Sequence, residues 1–137
     1  MSLIQGKTVL ARKFCLAELV ASHLQSVGVE ATVLKDRRNS EGHTDRVVVD
    51  SAIGLIHLTA SNNEEPNGSI PTADFVGKGQ AFLADKECVA YGWNTKDNRT
   101  MIMFVPTLSV IGHNSLTKAE IRQFSNLQYS VALRPQA

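Results

Sequence analysis

Between Arg12 and Val27 the apolar side chains fall at Leu16, Ala17, Val20, Ala21, Leu24 and Val27. Steps of three and four residues line one side of a helix, and Gly28 follows where such a helix stops. The period then changes to two. Val29, Ala31 and Val33 alternate with polar neighbours as far as Leu34, which predicts a strand entered straight from the helix. Residues Lys35 to Thr44 are polar, charged and glycine-containing, and read as a loop. Two short apolar runs, Arg46 to Val49 and Leu55 to Leu58, flank Asp50-Ser-Ala-Ile-Gly54 and predict an antiparallel hairpin.

The stretch from Ala60 to Thr72 has no period and reads as a long loop, and Ala73 to Leu83 as a short helix. A second hairpin follows, formed by Cys88 to Trp93, a turn at Thr95 to Arg99, and Met101 to Val105, which Pro106 ends. Thr117 with Glu120 three residues later is a capping box, so a helix is expected from Lys118 to about Asn126. Gln128 to Leu133 is expected to add an edge strand. The whole order, residues 1–137, is that of one α+β or α/β domain with no repeat and no linker.

Composition narrows the function classes more than it selects one. With 137 residues, 43% of them apolar, one continuous core is expected. A net charge of +1 provides no large field of one sign, so any nucleic-acid contact has to come from a local patch. Cys15 and Cys88 sit among apolar neighbours without metal-ligand or disulfide-framework spacing, which fits a reduced interior. No run is long enough to span a bilayer and no charged-then-apolar leader opens the chain, so a soluble cytoplasmic protein, with no membrane partner, is expected.

Within each strand of the first hairpin, alternation puts Asp45, Val47 and Val49 on one face and Leu55, His57 and Thr59 on one face. Asp45, His57 and Thr59 are therefore candidates to converge. Phosphodiester hydrolysis needs carboxylates around a hard divalent cation that activates water, with a lysine beside it. In Arg12-Lys-Phe-Cys-Leu-Ala-Glu18 on the helix, Asp45 opening a strand, and His57-Leu58-Thr59 about a dozen residues later, the chain resembles the PD-(D/E)xK nuclease superfamily. The likeness is to its small Holliday-junction-resolvase and homing-endonuclease-like members, and it extends over residues 11–106 to the hairpin of Ala90-Tyr-Gly-Trp93 and Met101 to Pro106.

The resemblance implies a restriction-endonuclease-like fold with a mixed sheet flanked by helices. It also implies a catalytic set of Glu18, Asp45, His57 and Thr59, with Asp45 and His57 on the metal, Mg²⁺ or Mn²⁺. His57 stands where the family has Glu or Gln, and Thr59 where it has lysine. A hydroxyl supplies neither the charge nor the basicity of an amine, so activity would require Lys13 or Lys78 to take that place. Arg12, Lys13, Lys35, Arg37 and Arg38 are the candidate phosphate contacts for DNA. The expected function is a nuclease-derived nucleic-acid-binding protein with weak or lost phosphodiesterase activity. The alternative is a non-catalytic homo-oligomeric module, for instance a homodimer, whose sign would be exposed apolar faces on the Cys88–Trp93 and Met101–Val105 strands.

Each candidate also has an ordinary role. Border glutamates on helices are usually solvated, aspartates open strands beside turns, and strand-core histidines are usually hydrogen-bonded structural groups. Asp50, His23, His43 and His113 are read as turn or structural residues. Tyr91 and Trp93 are candidates to stack on bases or, as strand aromatics usually do, to pack in the core.

Overall fold

The first helix begins three residues earlier than the apolar stripe suggests, because its start is set by a polar cap. In the computed structural model, which describes residues 3–38, 44–61, 68–71, 88–110 and 115–134, α1 spans Val9–Ser26. The Thr8 hydroxyl accepts a hydrogen bond from the Ala11 amide at 3.0 Å, satisfying a donor that the helix itself leaves unpaired. At the other end, the Gly28 and Val29 amides donate back to the Gln25 and Leu24 carbonyls. Gly28 takes φ +84°, the left-handed turn expected of it. Val27 caps the helix instead of joining its stripe and is 54% exposed, whereas Leu16, Ala17, Val20 and Leu24 are fully buried.

Among the described residues eight strands follow: β1 Ala31–Arg38, β2 Thr44–Ser51, β3 Gly54–Ser61, β4 Ser69–Pro71, β5 Cys88–Asn94, β6 Thr100–Pro106, β7 Ser115–Thr117 and β8 Val131–Leu133. A second helix, α2 (Lys118–Phe124), lies between β7 and β8. The main sheet has the order β1-β2-β3-β5-β6-β8, with β3 and β5 parallel and every other pair antiparallel. β4 and β7 form a separate two-stranded ribbon. The described residues thus make a single small α/β domain with a mixed six-stranded sheet, as expected.

Several elements differ from expectation. Lys35 to Arg38 are strand, not loop, and pair with β2 as far as Arg38 opposite Thr44. β1 is an edge strand of the sheet, where polar side chains are tolerated and an apolar alternation is not required. The turn between β2 and β3 is tighter than the five-residue separator suggested: Ser51 pairs with Gly54, and the Ser51 hydroxyl donates to the Gly54 carbonyl at 2.7 Å. The capping box of α2 is present, with Thr117 Oγ1 accepting from the Glu120 amide and Glu120 Oε1 accepting from the Thr117 amide. β8 is the expected edge strand. The expected helix at Ala73 to Leu83, together with Lys78, His43 and His113, lies outside the described residues.

The sheet separates two cores. On one face α1 packs over β1, β2 and β3, and Leu16, Val20 and Leu24 meet Val47, Val49, Ile56, Leu58, Ala90, Ile102 and Phe104. On the other face Val89, Tyr91, Trp93, Met103 and Val105 pack with Ile70 of β4, Leu116 of β7 and Ile121 of α2. Gly92 is required by the first of these cores, because a Cβ there would lie 2.6 Å from a Leu16 methyl and 2.8 Å from an Ile4 methyl. Burying each large aliphatic in these cores contributes about 1.5–3 kcal/mol.

Candidate functional site

Register decides whether the expected metal set can form. Val49 pairs with Ile56, so the face carrying Val47 and Val49 continues into Ile56 and Leu58 beneath α1. His57 and Thr59 are one step out of phase and occupy the opposite face, where they pair across β5 with Val89 and Tyr91. Both are buried, His57 at 1% exposure and Thr59 at 6%. Glu18 is exposed on α1, and the backbone of position 45 pairs with that of position 37. The sheet therefore stands between Glu18 on one side and His57 and Thr59 on the other.

His57 and Thr59 share one face, as the alternation predicts, and that face is the one away from α1 and Glu18; the Asp45 side chain lies outside what the structure describes. Among the described residues no group of three or more His, Cys, Asp or Glu side chains is placed to hold a metal ion. Lys13, partly buried on α1, lies on the Glu18 side and so across the sheet from Thr59.

The cationic candidates fare differently. Lys35 reaches across from β1 to α1, with its ammonium 5.2 Å from the centre of the Phe14 ring. That approach sets the β1 cation beside the turn of helix that carries Arg12 and Lys13. Arg12 is anchored there, its Nη1 donating to the Gly6 carbonyl at 3.2 Å. Arg37 and Arg38 continue the same strand, paired with positions 45 and 44.

Other candidates resolve into ordinary packing. Tyr91 and Trp93 are 0% and 1% exposed, so neither offers a free face to a base, and both belong to the second core. The β5 and β6 strands that would have carried an exposed apolar face lie inside the sheet and are buried along most of their length. His23 Nε2 lies 2.8 Å from the Tyr129 carbonyl oxygen, and since a carbonyl only accepts, that nitrogen donates. Both cysteines are free thiols, and Cys15 Sγ donates to the Leu3 carbonyl.

A second group of cationic side chains, not anticipated, lies on the sheet's other side where α2 crosses the end of the β5–β6 hairpin. A cavity of about 250 Å³ is lined there by Trp93, Lys96, Asp97, Arg99, Lys118 and Arg122 among others. The Lys118 ammonium and the Arg122 guanidinium lie 5.6 and 5.7 Å from the Trp93 ring centre. The carboxylate among its described lining is engaged: Asp97 accepts from the Thr95 hydroxyl and forms a 2.8 Å ion pair with Arg99 Nε. The Thr95 hydrogen bond and then Arg99 hold its carboxyl below the usual aspartate range. Lys118 and Arg122 are four apart on one helix side, a spacing visible in the sequence. That this side meets Trp93 is not visible there, because it depends on how α2 docks.

No helix among the described residues is long and apolar enough to cross a membrane. Comparison of the chain with protein-family models, curated proteins and solved structures finds no match to any of them.

Proposed function

We propose that this chain is a nuclease-derived protein that binds nucleic acid through its α1–β1 side and has lost metal-dependent phosphodiester hydrolysis. The observation that supports the reading is that Lys35 lies beside the turn of α1 that carries Arg12 and Lys13, while the sheet stands between Glu18 and His57. Lys35 against Phe14 joins the β1 and α1 cations on one surface, whereas His57 is buried on the far face. Cations spaced along a surface bind a phosphate backbone by releasing its counterions, and this needs neither a metal nor a reactive water. Imidazole and carboxylate separated by a sheet cannot share one cation, because ligand bonds to such ions are only about 2.0–2.6 Å long.

The test is fluorescence anisotropy with labelled single-stranded and branched DNA at low salt, with and without Mg²⁺ or Mn²⁺. Binding is expected to be independent of metal. On single strands, Lys13→Ala and Lys35→Ala are each expected to reduce the log–log salt slope by about 0.7 for every phosphate the lysine had neutralised. No product is expected after long incubation with either metal. Absence of binding at low salt overturns the reading, and cleavage abolished by Asp45→Asn overturns its loss-of-hydrolysis half.

A further inference from the structure

Given the nucleic-acid binding proposed above, we infer that its ligand is single-stranded, and that one base stacks on the Phe14 ring in the place the Lys35 ammonium holds in the unbound protein. Phe14 is half-buried against the first core, and the Lys35 ammonium lies over its ring, 5.2 Å from the centre. Lys35 itself is exposed. That part of the ring is therefore screened from water by a solvated, rotatable side chain rather than by packed core atoms. The face of a base is a flat apolar surface that can take the same place.

Around the ring lie cations that have no ion pair among the described residues: Lys7, Arg12, Lys13 and Lys35. The Arg12 guanidinium is held against the segment before the helix, donating from Nη1 to the Gly6 carbonyl at 3.2 Å, next to the exposed Lys7. That bond uses one of its five N–H donors, and its Nε has no hydrogen-bond partner. A chain of net charge +1 thus gathers four positive side chains around one aromatic ring. Glu18, exposed one turn beyond Phe14, ends the cationic stretch along α1.

Magnitudes favour the exchange. Stacking of a base on an aromatic ring is stronger than an exposed cation–π contact, so the ring gains when a base replaces the ammonium. The displaced ammonium gains as well, because the phosphate of the bound strand lies beside it. In a duplex both faces of every base are already stacked on neighbours, so only an unpaired strand can supply the base. Every base has such a face, and no sequence preference is expected.

The folded full chain is titrated at low salt with a thymidine oligonucleotide and with a duplex of the same length. In the unbound chain the Phe14 ring current shifts the Lys35 ε-methylene protons upfield; that shift is expected to vanish with the single strand and to persist with the duplex. Phe14→Leu is expected to weaken single-strand binding by about tenfold with the log–log salt slope unchanged, and Phe14→Tyr to preserve it. Duplex binding is expected to be weaker and indifferent to both variants. A Lys35 shift retained in the single-strand complex, single-strand affinity unchanged in Phe14→Leu, or a duplex bound as tightly overturns the base stack while leaving nucleic-acid binding on this side intact. Absence of binding to either form overturns the binding itself and the stack with it. The Lys35 resonances are read in the parent chain, so the outcome does not depend on how well Phe14→Leu folds.

Discussion

Asn94 joins two segments that are ninety residues apart in the chain. Its Nδ2 donates to the Ile4 carbonyl at 2.9 Å, and its Oδ1 accepts from the Ile4 amide at 3.3 Å and from Thr100 Oγ1 at 2.7 Å. The segment before α1 is thereby tied to the β5–β6 hairpin, and Ile4 fills the space that Gly92 leaves. Asn94→Ala leaves several buried polar groups unpaired at once and is expected to cost about 2–3 kcal/mol. Urea unfolding measures the destabilisation, and faster amide exchange at Ile4 identifies its origin. Gly92→Val is expected to cost about 1–3 kcal/mol by overpacking against Leu16. Leu16→Ala costs about 2–5 kcal/mol alone. Because the new methyls occupy the volume that the leucine vacates, the double variant is expected to be more stable than the two single effects sum to.

At the scale of elements, the ends were legible where a particular residue carries them. Gly28 and the Thr117–Glu120 pair announce a helix stop and a helix start in any context, since each satisfies backbone groups that the helix itself orphans. Gly28→Ala is expected to destabilise by about 1–2 kcal/mol, the cost of a left-handed backbone for a residue with a Cβ. Nothing crowds that position, so steric clash with neighbours plays no part in the cost. Thr117→Ala is expected to cost about 1 kcal/mol through loss of the cap. Melting curves against the parent chain check both. The outer half of β1 was not legible, because Lys35 to Arg38 lack the apolar alternation that a buried strand shows. Their pairing is a backbone matter, and an edge strand leaves little of it written in side chains.

Which face His57 takes relative to Glu18 is a property of the whole molecule. Alternation inside β2 and inside β3 is legible in the sequence, but which face of one strand matches which face of the other depends on the turn between them. Asp50 to Gly54 leave that register open by one residue, and a slip of one residue moves every side chain to the other face. The Ser51–Gly54 pairing sets Val49 opposite Ile56 and thereby sends His57 into the second core. Parity of the hairpin thus puts His57 on the face away from α1.

Metal-dependent stability separates a cation site from an ordinary buried histidine without any substrate. A ligand that binds only the folded state raises its stability by an amount set by concentration over dissociation constant, about 2.7 kcal/mol at a hundredfold excess. If His57 contributed to a divalent-cation site, millimolar Mg²⁺ or Mn²⁺ would raise the melting temperature of the parent chain and much less that of His57→Ala. With His57 enclosed beside Val89 on the face away from α1, His57→Ala is expected to lower stability by about 2–4 kcal/mol through poorer packing and fewer polar interactions. Either metal is expected to shift parent and variant equally, by no more than matched ionic strength does. A metal-specific rise confined to the parent would place the imidazole on a cation and require a different β2–β3 register from the one described.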